Sequence, residues 1–168
     1  MGVMFLDLSE EQRSRIKELV DSIATSLDSD VKNILIVEDN NTIREAIKNA
    51  LSKEGFSVIE ATDGIQAMKM LVEHTPHLII LDLNMKGMDG LKVLSLLKAD
   101  QDLKGLPVIV CSGHDTKEIR DRVINAGADE FISKKGTSPA KLAQVAKALF
   151  EKRQDEILFS LLGLKRSD

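Results

Sequence analysis

The sequence predicts a doubly wound α/β fold: five parallel strands, in the order 2-1-3-4-5, with helices on both faces. Three observations predict it. From residue 33 to 134, short apolar, β-rich runs alternate with amphipathic stretches at helical spacing. The third run, Leu78-Ile-Ile-Leu81, is apolar throughout, the mark of a strand buried on both faces. Helix stops and starts fall between the runs, and right-handed crossovers leave few other topologies for such a chain.

The strands are expected at Asn33–Val37, Ser57–Ala61, Leu78–Leu81, Val108–Cys111 and Glu130–Ser133. Helices are expected at Thr42–Lys53, Ile65–His74, Gly90–Ala99 and Lys117–Ala126. A fifth begins at Ser138-Pro139, an N-cap followed by proline at the first helical position. Gly55 and Gly127 sit just past their helices, where a left-handed residue ends the turn.

Two segments fall outside this unit, dividing the chain into an N-terminal helical extension (1–31), a central domain (32–150) and a C-terminal helical extension (151–168). Ser9-Glu-Glu-Gln12 is a capping-box pattern, and Ile16, Leu19, Val20, Ile23, Ala24 and Leu27 then share one helical face. At the other end the last helix continues through a polar patch, Lys152–Glu156, into the apolar Ile157-Leu-Phe-Ser-Leu-Leu-Gly-Leu164. Apolar surface at both ends either covers itself or makes a contact, such as a homodimer through the terminal helices.

With 168 residues the chain suits one domain with a full core plus extra length. The net charge is −4, without a basic block, so no electrostatic footprint for nucleic acid is present. Trp and Tyr are absent, which argues against aromatic platforms for single strands. No apolar run is long enough to span a bilayer, and Met1-Gly-Val-Met-Phe-Leu-Asp7 lacks the basic start of a signal peptide. It also lacks the hydroxyl residue of a myristoylation site. A single cysteine, Cys111, allows no internal disulfide and fits a reducing compartment as a small core residue. A cytoplasmic protein is expected.

In sheets of this kind function lies at the carboxyl ends of strands, where the strand order reverses. There the first strand leads into Glu38-Asp39, the third into Asp82, the fourth into Ser112-Gly113 and the fifth into Lys134. Neighbouring first and third strands would bring three carboxylates together, and mutual repulsion favours their protonation. A hard divalent cation relieves it, and oxygen ligands with room for water suit Mg²⁺. An aspartate beside Mg²⁺ can act as a nucleophile toward a phosphoryl group. Lys134 would supply fixed positive charge, Ser112 a hydrogen bond, and Gly113 space for approach. Each of these residues alone has a plainer reading. Asp82 could be a turn residue, Glu38-Asp39 a helix cap (which Asn40 or Asn41 could also provide), Lys134 a solvated charge and Phe131 simple core.

Ile34-Leu-Ile-Val-Glu-Asp-Asn40, Leu81-Asp-Leu-Asn-Met-Lys-Gly-Met-Asp-Gly90, Val110-Cys-Ser-Gly113 and Ala126-Gly-Ala-Asp-Glu-Phe-Ile-Ser-Lys134 resemble the receiver domains of bacterial two-component response regulators. The resemblance spans roughly residues 32 to 150, and its motifs agree in order and spacing. It implies a single-domain, chemotaxis-regulator-like receiver with the flavodoxin-like fold. By it, Asp82 is the phosphoacceptor, Glu38 and Asp39 are the acidic pair for Mg²⁺, and the Asn84 backbone carbonyl completes the protein ligands. Ser112 and Phe131 are the switch pair, and Lys134 contacts the phosphoryl group. His114 lies where receivers tune dephosphorylation, although a solvated loop residue there is as ordinary. At two positions such domains carry proline; here they are Lys86 and Lys135. A cis bond before a non-proline residue is costly, so Lys134–Lys135 is expected trans, or else strained, in an altered loop.

The expected function is a phosphorylation-controlled receiver. It takes its phosphoryl group from a sensor histidine kinase or phosphotransfer protein and signals to a downstream protein target. It is no enzyme beyond promoting its own phosphorylation and dephosphorylation. The alternative is a degenerate receiver that docks or dimerises without phosphate. A haloacid-dehalogenase-type phosphatase needs a second aspartate where this chain has Asn84, and a flavin binder needs a phosphate-cradling loop unlike Asp39-Asn-Asn-Thr42.

Overall fold

The computed structural model describes residues 32–161 and, ahead of them, residues 10, 14, 15 and 18, which are helical. The apolar face expected over 16–27 and the last residues of the C-terminal segment lie outside the described residues. Lys32 opens a compact unit separate from the preceding residues.

That unit runs β1 (Asn33–Val37), α1 (Asn41–Lys53), β2 (Ser57–Ala61), α2 (Gly64–Glu73), β3 (Leu78–Asp82), α3 (Gly90–Ala99), β4 (Val108–Ser112), α4 (Lys117–Asn125), β5 (Glu130–Ser133) and α5 (Pro139–Leu161). All pairings are parallel and the order is β2-β1-β3-β4-β5, as expected from the sequence. Caps explain the helix starts. Asn40 accepts the N–H of Ile43 (3.1 Å), leaving Glu38 and Asp39 free of that task. Asp63, Asp89 and Thr116 cap α2, α3 and α4 in the same way. Gly55 and Gly127 take positive φ at the ends of α1 and α4, where a side chain would be strained.

Two cores form, one per face. Leu35, Val37, Ile79, Leu81, Val108 and Val110 pack against Ala67 and Leu71 of α2, Val93, Leu94 and Leu97 of α3, and Val123 of α4. On the other face Ile34, Ile36, Leu78, Ile80, Ile109 and Cys111 meet Ile47 and Leu51 of α1 and Leu142, Ala143 and Ala146 of α5. Leu35, Ile79, Leu81 and their like are fully buried, each contributing about 1.5–3 kcal/mol. β3 is buried over its whole length, which accounts for its unbroken apolar run.

β3 and β4 each run one residue past their apolar runs, to Asp82 and Ser112, because the ladder follows the backbone rather than side-chain polarity. Asp82 pairs with Cys111, and Ser112 with Ser133. Both polar side chains therefore leave from the last rung of a rigid sheet. α5 continues through the polar patch without interruption, since Lys, Arg, Gln and Glu are good helix formers. On its last turns Ile157 is exposed.

Candidate functional site

The site begins with strand adjacency. β1 and β3 are neighbours with Val37 opposite Leu81, so Glu38 and Asp39 emerge beside Asp82. One carboxylate oxygen from each of the three lies within 4.8 Å of the others. Glu38 and Asp82 are almost fully buried, at 2% and 3% exposure. Lys134 follows β5, and its backbone N–H donates to the Ser112 carbonyl (2.8 Å). Its ammonium reaches Glu38 Oε2 at 2.6 Å and Asp82 Oδ2 at 2.9 Å. The Lys134–Lys135 bond is trans, as expected. The long lysine side chain spans to both carboxylates from that loop.

Electrostatics follow from this packing. Burial raises the Glu38 carboxyl above its ordinary value and the Asp82 charge adds to the rise, against the hydrogen bond from Lys134. Burial also works against the Lys134 ammonium, but the bonds and charges of Glu38 and Asp82 outweigh it and raise its pKa. Lys134 is therefore a fixed positive charge. Two of the three carboxylates share this ammonium and the third, Asp39, lies beside them, an acid excess that suits a further cation. The donor set is oxygen only, which fits a hard divalent ion such as Mg²⁺.

Around the acids the loops are tied down. The Asn84 N–H donates to Asp82 Oδ1 (3.1 Å), and its side-chain amide donates to Ser112 Oγ (3.3 Å) and lies 3.3 Å from His114 Nδ1. Ser112, fully buried, accepts the His114 N–H (3.0 Å). His114 is thus joined to Asn84 across the mouth of the site. The Lys86 N–H donates to Asp39 Oδ2 (3.3 Å), a bond that proline at this position has no N–H to make. Gly90 opens α3 where a Cβ would overlap the Asp82 carbonyl and lie 2.8 Å from Leu83 Cα, so glycine permits the helix to start against the end of β3.

A Cβ on Gly113 would meet nothing within 4 Å, so there is open space just past the end of β4. The depression there has a volume of ≈ 390 Å³ and is lined by Glu38, Asp39, Asp82, Asn84, Gly113 and Lys134, among others. Phe131 stands apart from it. Its ring is buried, opposite Val110 one ladder repeat below Ser112, with the Arg120 guanidinium 4.8 Å from the ring centre. Cys111 is buried beneath the site, and desolvation pushes its thiol up to about 12.

Sequence reasoning missed Arg44. It is 9% exposed and donates to the Glu38 carbonyl, to Asn41 and to Glu60. The signal was present, because Arg44 shares the stripe of Ile47 and Leu51 at helical spacing. A charge on a core-facing stripe needs a partner there.

Residues 34–147 match the family model described as the response regulator receiver domain. Response regulator MprA of Mycobacterium bovis (strain BCG / Pasteur 1173P2) is 32% identical over 135 residues, 80% of this chain and 57% of the relative. The chain thus spans little more than half the length of the curated relatives it matches. Among solved structures, the signal receiver domain of a signal transduction histidine kinase from Syntrophus aciditrophicus is 32% identical with a TM-score of 0.65, covering 82% of this chain and 95% of that one. The phosphorylated cyanobacterial phytochrome response regulator RcpA is 30% identical with a TM-score of 0.62, covering 73% and 93%.

Proposed function

Because this chain belongs to the response regulator receiver domain family, a family of phosphorylation-type two-component signalling, we propose that Asp82 is its phosphoacceptor. The donor is a phosphohistidine on a sensor histidine kinase or phosphotransfer protein. An Asp82 carboxylate oxygen attacks phosphorus, the P–N bond breaks with its electron pair returning to the imidazole, and the new O–P bond makes an aspartyl phosphate. Glu38, Asp39, Asp82 and the Asn84 backbone carbonyl would hold Mg²⁺, which when bound neutralises charge on the phosphoryl oxygens.

The observation that carries this reading is the Lys134 bridge between two buried carboxylates, beside a third. Once Asp82 is phosphorylated, its share of the ammonium passes to a phosphoryl oxygen while Glu38 keeps the lysine in reach. The Ser112 hydroxyl then donates to the same group. Phe131 follows the shift of β4 as the second half of the switch. The changed surface of β4, β5 and α4 is read by a downstream protein target in the cytoplasm. A homodimer through the terminal helices is part of the same proposal, and Ile157 is exposed on α5.

Incubation with acetyl phosphate and Mg²⁺ followed by a Phos-tag gel tests the reading. A retarded band that disappears with EDTA and in D82N is expected. An unshifted wild-type band would favour a docking module that works without phosphate.

A further inference from the structure

The Glu38 carbonyl belongs to the peptide that joins Glu38 to Asp39, so its orientation fixes the direction in which both carboxylates leave the chain. Arg44 Nη1 donates to that carbonyl at 2.9 Å from inside α1. The rest of the guanidinium is held from two further directions, by Asn41 Oδ1 at 2.7 Å and by Glu60 Oε2 of β2 at 3.1 Å. Glu60 also pairs with Lys48, so the buried arginine belongs to a network in which two cations share one carboxylate, rather than standing isolated. In the next peptide, the Asn40 N–H donates to Glu38 Oε1 (3.2 Å). The turn carrying the acidic pair is thus held by two bonds, one to the Glu38 carbonyl and one to its side chain.

We infer that Arg44 is the positioning residue of the cation site: it touches neither cation nor phosphoryl group, but sets the Glu38–Asp39 peptide so that both carboxylates face Asp82. The inference rests on the proposed Mg²⁺ role of the acidic pair. The fork geometry matters as well as the charge. A lysine ammonium is a point charge that cannot hold the carbonyl, Asn41 and Glu60 in the fixed planar array of a guanidinium.

Residues that orient metal ligands typically change affinity 10–100-fold when lost. Calorimetric Mg²⁺ titrations of the full chain and of R44Q, R44K and E60Q, together with amide spectra of the cation-free proteins, test the inference. R44Q is expected to bind Mg²⁺ at least about tenfold more weakly, with the Asp39 and Asn40 amides displaced and those of β4 and β5 unmoved. R44K should resemble R44Q rather than wild type. E60Q, which keeps the Arg44–Glu38 bond, should lose less affinity than either. A folded R44Q that binds Mg²⁺ like wild type would overturn the inference, and if R44Q does not fold, R44K decides by the same criterion. Wild type that binds no Mg²⁺ would sink the proposed site instead. The cation-free spectra would then still show whether Arg44 holds the acidic turn, undisturbed Asp39 and Asn40 amides counting against it.

Discussion

At the amino end of the sheet, Asp129 accepts the Val108 N–H (2.9 Å) and pairs with Arg153 of α5 and with Lys98 of α3 at 3.7 Å. At the carboxyl end, Glu38 and Asp82 share the ammonium of Lys134, with the Asp39 carboxylate beside them. The first arrangement gives one carboxylate two cations and a backbone donor, and it ties α3, β4 and α5 together. The second leaves charge uncompensated in a buried place, which costs stability and is the kind of conflict proteins retain at working sites. Buried charge at one end serves the fold, and at the other it fits the proposed cation and phosphoryl group.

Substitutions at the two ends should therefore separate function from stability. D82N should abolish phosphorylation on Phos-tag gels, while D129N leaves it at the wild-type level. K134M should slow phosphorylation by acetyl phosphate about 100-fold, in the range for loss of one charge-stabilising donor. It should also lower Tm in EDTA, because two buried carboxylates lose their partner, and millimolar Mg²⁺ should restore part of that loss. D129A should cost about 2–3 kcal/mol in urea unfolding, since the Val108 N–H and two cations lose their acceptor. G90A should cost about 1–3 kcal/mol through the overlap with the Asp82 carbonyl and should also slow phosphorylation, because the strain falls on the end of β3. The smallest effect concerns Cys111. Buried and with its thiol pushed up to about 12, it should resist alkylation at neutral pH until denaturant is added.

The strands, the helices and the acidic set were legible because each leaves a local trace: an apolar run, a stripe, or a carboxylate at the end of a run. Asn40 as the cap of α1 was one of two stated options, and the structure chose it. Arg44, Glu60 and Asp129 were not singled out, because a charged residue on a helix, strand or loop ordinarily reads as solvated. Apart from Asn41, three residues from Arg44, their partners are 6 to 31 residues away and meet only after the sheet forms. The Lys86 N–H bond to Asp39 was hidden for a related reason. A missing proline reads as a departure from pattern, whereas the bond depends on where the β3–α3 loop lies over β1. The ends of β3 and β4 were one residue short because polarity, not backbone pairing, marked them.

Asp82 carries the proposed chemistry, and aspartyl phosphate can be trapped where it forms. After treatment with acetyl phosphate and Mg²⁺, borohydride reduction converts the modified aspartate to homoserine, which peptide mass spectrometry locates. Homoserine at position 82 alone, absent when Mg²⁺ is chelated, is the predicted result. Homoserine at another aspartate, or none in a folded protein shown to bind Mg²⁺, would contradict it.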